Sequence, residues 1–395
     1  MADTMITLPL LRLGRLQLGP GLRTLRPGSD ATGLVVTATV PVPGQPADNP
    51  QAWDVAWADA VREAGRLGAD QATVGALAGG GGDALAAGLR VTGGTRVAVA
   101  AHGEVLLARW LAPWPGPGDV RIGPLPHLLE VAAAAARRPA YVVVLADRHG
   151  TDVIAHAGGE QDPPRRFPAD DRPGTQHDPH PDRPPQQLHG ERHVTDREPE
   201  SGGQRTAEYI AGRVAEAADS VGAHVTLGAG DQHILDAVGS HLPASVGPIT
   251  TVAGGRHPDG LDRHLGAAIG AALDEITAAA VAAVGDRVAS LAGGSSPGAV
   301  RGIGAVAEQL AEQQVAVLLV AADVSRDGAA ASYRIGIRPT EFLVDDPDTG
   351  TEVPLEDGLA WAALHQDAIV VQLPGRGGPL AGEPVAALLR RGDAG

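Results

Sequence analysis

Residues 137–156 read RRPAYVVVLADRHGTDVIAH, and residues 201–220 read SGGQRTAEYIAGRVAEAADS. The first stretch holds an apolar run, Tyr141–Ala146, a polar turn at Asp147-Arg148-His149-Gly150, and a second run from Thr151 to Ala157. This order predicts strand, turn and strand. In the second stretch Ala207, Ile210, Val214 and Ala217, with Val221 just beyond, recur every three or four residues. Glu208, Arg213, Glu216 and Asp219 fall on the other side. Such spacing predicts a helix with one apolar face. His224–Gly228 then reads as a strand, Gln232–Ser240 as a helix and Ile249–Ala253 as a strand. Alternating strands and helices predict an α/β domain.

The same alternation extends in both directions. Upstream, Gly33–Val42 reads as a buried strand and residues 52–68, with Trp53, Trp57 and Val61, as a helix. A further helix is expected over 71–89, a hairpin of 95–101 and 104–111 around His102-Gly103, and a helix over Leu125–Arg137. Downstream, helices are expected over 261–284, Ala299–Gln313 and Leu355–His365. Strands are expected at Val315–Ala321, Tyr333–Ile337 and Ala368–Leu373. The chain therefore divides, as a sequence, into three successive α/β blocks: 1–137, 138–257 and 258–395. Residues 158–200, rich in Pro, Asp, Arg and His, lack the large apolar residues that bury a core and read as a mobile loop.

Composition narrows the chemistry. The 31 basic residues of this 395-residue chain are all arginine, and there is no cysteine. Disulfides, thiol nucleophiles, zinc fingers, a Walker lysine and Schiff-base chemistry are excluded. No run approaches eighteen apolar residues free of charge, and the N-terminus carries no signal-peptide cleavage pattern, so a cytoplasmic protein without a membrane span is expected. His177, His180, His189 and His193 have spacings a metal could use, but they sit in the polar loop and read as solvated; no metal and no cofactor is expected. The run Gly79–Gly82 follows no strand and reads as a break between helices rather than a phosphate cradle. Arg12, Arg15, Arg23 and Arg26 read either as RNA-contacting or as a solvated N-terminal arm. Gly202-Gly203-Gln204 is the sharpest feature. Placed between a polar loop and a helix, two glycines permit a tight presentation, and the glutamine amide can orient water or stabilise an oxyanion.

These stretches, together with Leu355–Arg391 (helix, the apolar AIVVQLP, and the ending EPVAALLRR), resemble the archaeal and eukaryotic class-1 peptide release factors. The resemblance is strongest to their actinobacterial relatives, the Balon-type ribosome hibernation factors and release-factor-like peptidyl-tRNA hydrolases. It implies three domains of release-factor type on the ribosomal A site. Block 1–137 would face the decoding centre, 138–257 the peptidyl transferase centre, and 258–395 a translational GTPase or the stalk base. Gly202, Gly203 and Gln204 would be the catalytic tip at the peptidyl-tRNA ester, with Arg205 and the four N-terminal arginines meeting RNA. The family's codon readers carry Asn-Ile-Lys-Ser and Tyr-x-Cys motifs, which a chain without Lys or Cys cannot contain, so stop-codon recognition is not expected. The helix after the tripeptide is nearly neutral, where the family's release factors continue with Ser and a basic helix. Occupancy of the A site in stress or hibernation therefore ranks above termination. Peptidyl-tRNA hydrolysis in rescue is the first alternative, and a stress protein acting through protein partners alone is the second. Neither DNA nor a membrane is an expected partner.

The charge is graded. Block 1–137 holds 11 Arg and 11 acidic residues, 138–257 holds 11 and 17, and 258–395 holds 9 and 19. The neutral end is fit to approach RNA and the acidic end a basic protein surface.

Overall fold

Gly33–Val42 reads as a continuous apolar strand, and its packing shows why. In the computed structural model Val36, Ala38 and Val40 enter one buried cluster while Val35 enters another. The strand is covered on both faces, which removes the usual apolar–polar alternation. The structure describes residues 10, 12–25, 34–42, 51–81, 94–111, 118–147, 150–158, 165–168, 199–255, 263–292, 298–324, 332–335 and 351–390. They form two compact units: Met1–Ala140 with Ala157–Pro163 and Gly270–Gly395, and Tyr141–His156 with Pro164–Ile269.

The first unit begins with α1 (Pro20–Thr24), β1 (Val35–Pro41), α2 (Gln51–Arg66), α3 (Gln71–Gly79), β2 (Thr95–Ala101), β3 (Glu104–Leu111), β4 (Asp119–Gly123) and α4 (Leu129–Ala136). The strands form an antiparallel sheet in the order β3-β2-β1-β4. On one face Trp53 of α2 stacks with Trp57 at 5.6 Å and packs against Trp110 of β3 at 5.0 Å between ring centroids. Gly80 ends α3, and a Cβ on Gly81 would lie 2.7 Å from the Trp57 ring. Gly79–Gly81 thus closes a helix against an aromatic side chain, and Gly82 lies outside the described residues. Helix α4 starts at Leu129 rather than Leu125, because Pro124 and Pro126 hold the preceding backbone extended.

The segment 12–25 is not a solvated arm. Leu13, Leu16, Leu18, Leu22 and Leu25 are all buried, and Arg23 donates to Leu18 O at 3.2 Å and pairs with Asp367 at 2.5 Å. Its leucines, not its arginines, decide its place.

The second unit holds β5 (Tyr141–Asp147), β6 (Gly150–His156), β7 (Arg165–Pro168), α5 (Pro199–Val221), β8 (Val225–Gly230), α6 (Gln232–Ser240) and β9 (Ile249–Thr251). The sheet order is β7-β6-β5-β8-β9, with β8 parallel to both β5 and β9. The expected loop 158–200 yields strand β7, in which Phe167 lies opposite Val153; residues 169–198, with the four histidines, lie outside the described residues.

Helix α7 (Arg263–Leu291) leads back to the first unit, which continues as β10 (Ala299–Arg301), α8 (Ile303–Ala311), β11 (Val315–Ala321), β12 (Ser332–Ile335), β13 (Thr351–Pro354), α9 (Leu355–His365), β14 (Ile369–Leu373) and β15 (Val385–Leu389). A second sheet runs β10-β15-β11-β14, and β12 pairs with β13. The helix expected over Ala299–Gln313 is split. Gly302, at φ 85°, ends strand β10, and its N–H donates to Val385 O at 3.0 Å before α8 begins. Alternate residues of β11 enter two clusters, Val317 and Leu319 one, Leu318 and Val320 the other. The second of these also contains Leu16, Val97 and Val131, so the first and third sequence blocks share one core.

His264–Leu291 is long and apolar enough to cross a membrane by length and composition alone. Its Asp274, Glu275, Asp286 and Arg287 interrupt the apolar surface. Leu265, Ile269, Leu273, Ala280, Val284 and Val288 are buried at three- and four-residue spacing, the pattern of a helix held against protein on one face.

Candidate functional site

Helix α5 carries the Gly-Gly-Gln tripeptide, and its direction follows from the topology. Val221 ends the helix four residues before β8 begins, so the C-terminus of α5 lies at the amino end of β8 and of its parallel neighbour β5. The N-terminus points to the carboxyl end of those strands. With 23 residues the helix is about 34 Å long, whereas a seven-residue strand spans roughly 23 Å. The first buried side chain of the helix whose burial is described is Ala207, followed by Ile210, Ala211, Val214, Ala217 and Ala218. Gln204 and Arg205 are exposed, ahead of the packed part.

Gly202 and Gly203 are not in a loop before the helix. The helical backbone begins at Pro199 and runs through them. Proline is preorganised for a first helical turn, while each glycine weakens a helix by about 1 kcal/mol relative to alanine.

The carboxyl end of the sheet is polar and tightly connected. Asp147 Oδ1 accepts from Gly150 N at 2.9 Å and closes the β5–β6 turn. At Gly230, φ 113°, β8 crosses against β5, and the next N–H, of Asp231, donates to Ala146 O at 2.9 Å. Asp231 caps α6 by accepting from His233 N at 2.9 Å. Gln232 donates to Asp236 at 2.7 Å and accepts from Thr251 at 3.3 Å. In α/β sheets ligands meet the carboxyl ends of strands; here Asp231, Gln232 and His233 follow β8 at that end, and the N-terminal part of α5, with Gln204 and Arg205, points toward it.

The tripeptide offers a neutral amide and backbone groups, the kind of group that orients water or a developing oxyanion. Further along α5, Arg213 pairs with Glu216 and lies 5.6 Å from the Phe167 ring centroid. Arg205 stands on α5 of the second unit, Arg15 is exposed and Arg12 half-buried in the first, and Arg23 is ion-paired. Arg26 lies outside the described residues. Among the described residues no group of three His, Cys, Asp or Glu side chains is placed to hold a metal.

At the opposite end of the sheet, Tyr141 and His156 stack across β5 and β6 with ring centroids 4.4 Å apart and planes 6° off parallel. Burial pushes the His156 imidazole down to about 4, and its Nε2 is buried with no hydrogen-bond partner among the described residues. As pH falls below 6.5 the unfolded chain takes up a proton that the folded one refuses, so stability is lost between 6.5 and about 4 and then levels off. The loss amounts to roughly 3 kcal/mol. Urea unfolding of His156→Phe from pH 7 to 4 should show a correspondingly smaller acid loss than the parent, and an unchanged slope would place the sensitivity elsewhere. Sequence spacing did not single out this pair; the hairpin register brings it together.

Residues 140–293 match the family described as bacterial archaeo-eukaryotic release factor family 2. Among solved structures the chain is similar to one in a model of ribosome-bound archaeal Pelota and ABCE1, at 16% identity over 75% of this chain and 77% of that one, TM-score 0.40. It is similar to Saccharomyces cerevisiae Dom34, described as a translation termination-like factor in RNA quality control that interacts with Hbs1, at 9% identity over 75% and 79%, TM-score 0.36. A third is the archaeal translation termination factor aRF1, at 14% identity over 93% and 95%, TM-score 0.20. No curated protein matches the sequence.

Proposed function

For a release-factor-like chain whose residues 140–293 carry that family match, we propose a protein that occupies the ribosomal A site in stress or hibernation, without reading stop codons. The observation that carries the proposal is the position of the tripeptide. Gly202-Gly203-Gln204 lies inside the matched segment, on a helix whose N-terminus extends past the carboxyl end of its sheet. The absence of lysine and cysteine removes the codon-reading motifs. The acidic block 258–395 is the side for a basic protein partner such as a translational GTPase, and residues 1–137, with no net charge, are the side for ribosomal RNA.

The protein should sediment with 70S ribosomes from stationary or chilled cells. Its absence from ribosomal fractions under every stress would leave a protein acting through protein partners alone.

A second reading, peptidyl-tRNA hydrolysis in rescue, is favoured by the exposure of Gln204. In it Gln204 positions the attacking water and the ribosome supplies the surrounding electrostatics. Gln204→Ala should then lower release of a nascent chain by about 100-fold or more, the scale of losing one oxyanion-type donor, with ribosome binding unchanged. Release at the parent rate would exclude catalysis by this side chain.

A further inference from the structure

We propose that the first turns of α5 are a winding switch on the tripeptide: wound, they hide the backbone donors of Gly203 and Gln204, and unwound, they present them. The switch presupposes Gly202-Gly203-Gln204 as the working tip of the A-site reading and adds what turns that tip on. It stems from one feature of the fold, helical backbone that begins at Pro199 and continues unbroken through both glycines.

The wound form is chemically closed. In an α-helix each N–H donates to the carbonyl four residues earlier, so the N–H groups of Gly203 and Gln204 are directed at the carbonyls of Pro199 and Glu200. Backbone N–H groups are common donors to a developing oxyanion, and here the helix consumes them. The Gln204 side chain alone stays exposed and free of that constraint. A wound tip fills a site without its full set of donors, which fits occupancy. An unwound tip regains two donors, which fits hydrolysis. The two forms differ only in hydrogen bonds and backbone angles.

The wound form is also weakly held. Gly202 and Gly203 bring no side chain to pack, and each shifts the local equilibrium toward the unwound backbone by about fivefold relative to alanine. Once unwound, glycine takes φ values closed to other residues. The rest of the helix is fastened. Ile210, Ala211, Val214, Ala217 and Ala218 are each at most 3% exposed. At the far end Gly222, φ 64°, closes the helix, with Ala223 N–H donating to Ala218 O at 2.8 Å. Arg165 Nη1 donates to Ser220 O at 3.3 Å from strand β7. Unwinding therefore starts at Pro199 and stops at the buried Ala207. Gly212 stands apart from the tip, inside the fastened part, where a Cβ would meet only open space.

Amide hydrogen exchange on the full chain, without ribosomes, tests this by NMR at Gln204, with Ala211 and Val214 as references. In the parent the Gln204 amide should exchange more slowly than in an open chain, yet roughly 100-fold faster than the references, as a locally opening segment does. Combining Gly202→Ala with Gly203→Ala should slow exchange at Gln204 by roughly 25-fold once intrinsic rates are allowed for. Gly212→Ala should leave it unchanged. Three results each overturn the switch: parent exchange at Gln204 as slow as at Val214, parent exchange at the open-chain rate, or equal slowing by Gly212→Ala. Because no ribosome enters the measurement, failure here is distinct from failure of the protein to sediment with 70S ribosomes.

Discussion

Replacing Gly230 by alanine should destabilise the second unit by several kcal/mol. A Cβ at this position would lie 1.9 Å from the carbonyl oxygen of Ala146 and 3.0 Å from its carbon. Neither atom can move cheaply. They belong to β5, a strand hydrogen-bonded on both sides, by β6 and by β8. The backbone adds its own penalty, because φ 113° is a conformation that side-chain-bearing residues rarely adopt. Strain of that kind costs about 1–3 kcal/mol, and separating the strands also breaks the Asp231 N to Ala146 O hydrogen bond of 2.9 Å, worth a further ~1 kcal/mol. Amide exchange on β5 and β8 should accelerate accordingly. A variant within 1 kcal/mol of the parent would show that the two strands do not approach this closely.

The second large effect is expected at Trp361, which is 1% exposed and the largest fully buried side chain among the described residues. It lies in the core shared by the first and third sequence blocks. Trp361→Ala removes the bulk of a residue around which helix α9 is packed, and truncations of this size cost about 3–5 kcal/mol. The indole N–H is buried with no hydrogen-bond partner among the described residues, so its removal forfeits no bond. Trp361→Phe should accordingly cost only about 1–2 kcal/mol, the smaller ring leaving a modest cavity. Urea midpoints of the two variants separate the contributions. Equal losses would mean that the indole N–H carries weight after all, through a bound water.

The legible parts of this protein are those where local pattern and final burial agree. The hairpin 141–156 forms with the turn where the polar residues stand, and β2–β3 turns at His102-Gly103, both at positive φ. Helices at 51–66, 232–240 and 355–365 and strands at 315–321 and 369–373 follow their apolar periods to within about two residues. The departures have particular causes. Ala299–Arg301 forms a strand because β15 is there to pair with it, a partner more than eighty residues away. Phe167 is the only large apolar residue in its neighbourhood, too little to announce strand β7 without the edge of β6 beside it. The N-terminal arginines stand out in the sequence by charge, while the leucines between them set the burial of the segment.

The candidate site divides the same way. The Gly-Gly-Gln tripeptide and the apolar face of its helix stand in the sequence, and so does the chemistry its composition excludes. That the helix runs back through the glycines, that it points past the carboxyl end of β5 and β8, and that His127 Nδ1 stands 2.5 Å from the buried Asp357 Oδ1 were decided by tertiary structure. The physical reason is range. Periodicity, turn chemistry and the lack of lysine and cysteine act within a few residues or need no geometry at all. Strand order, the direction of a helix over its sheet and the pairing of a buried carboxylate depend on which distant surfaces exclude water together.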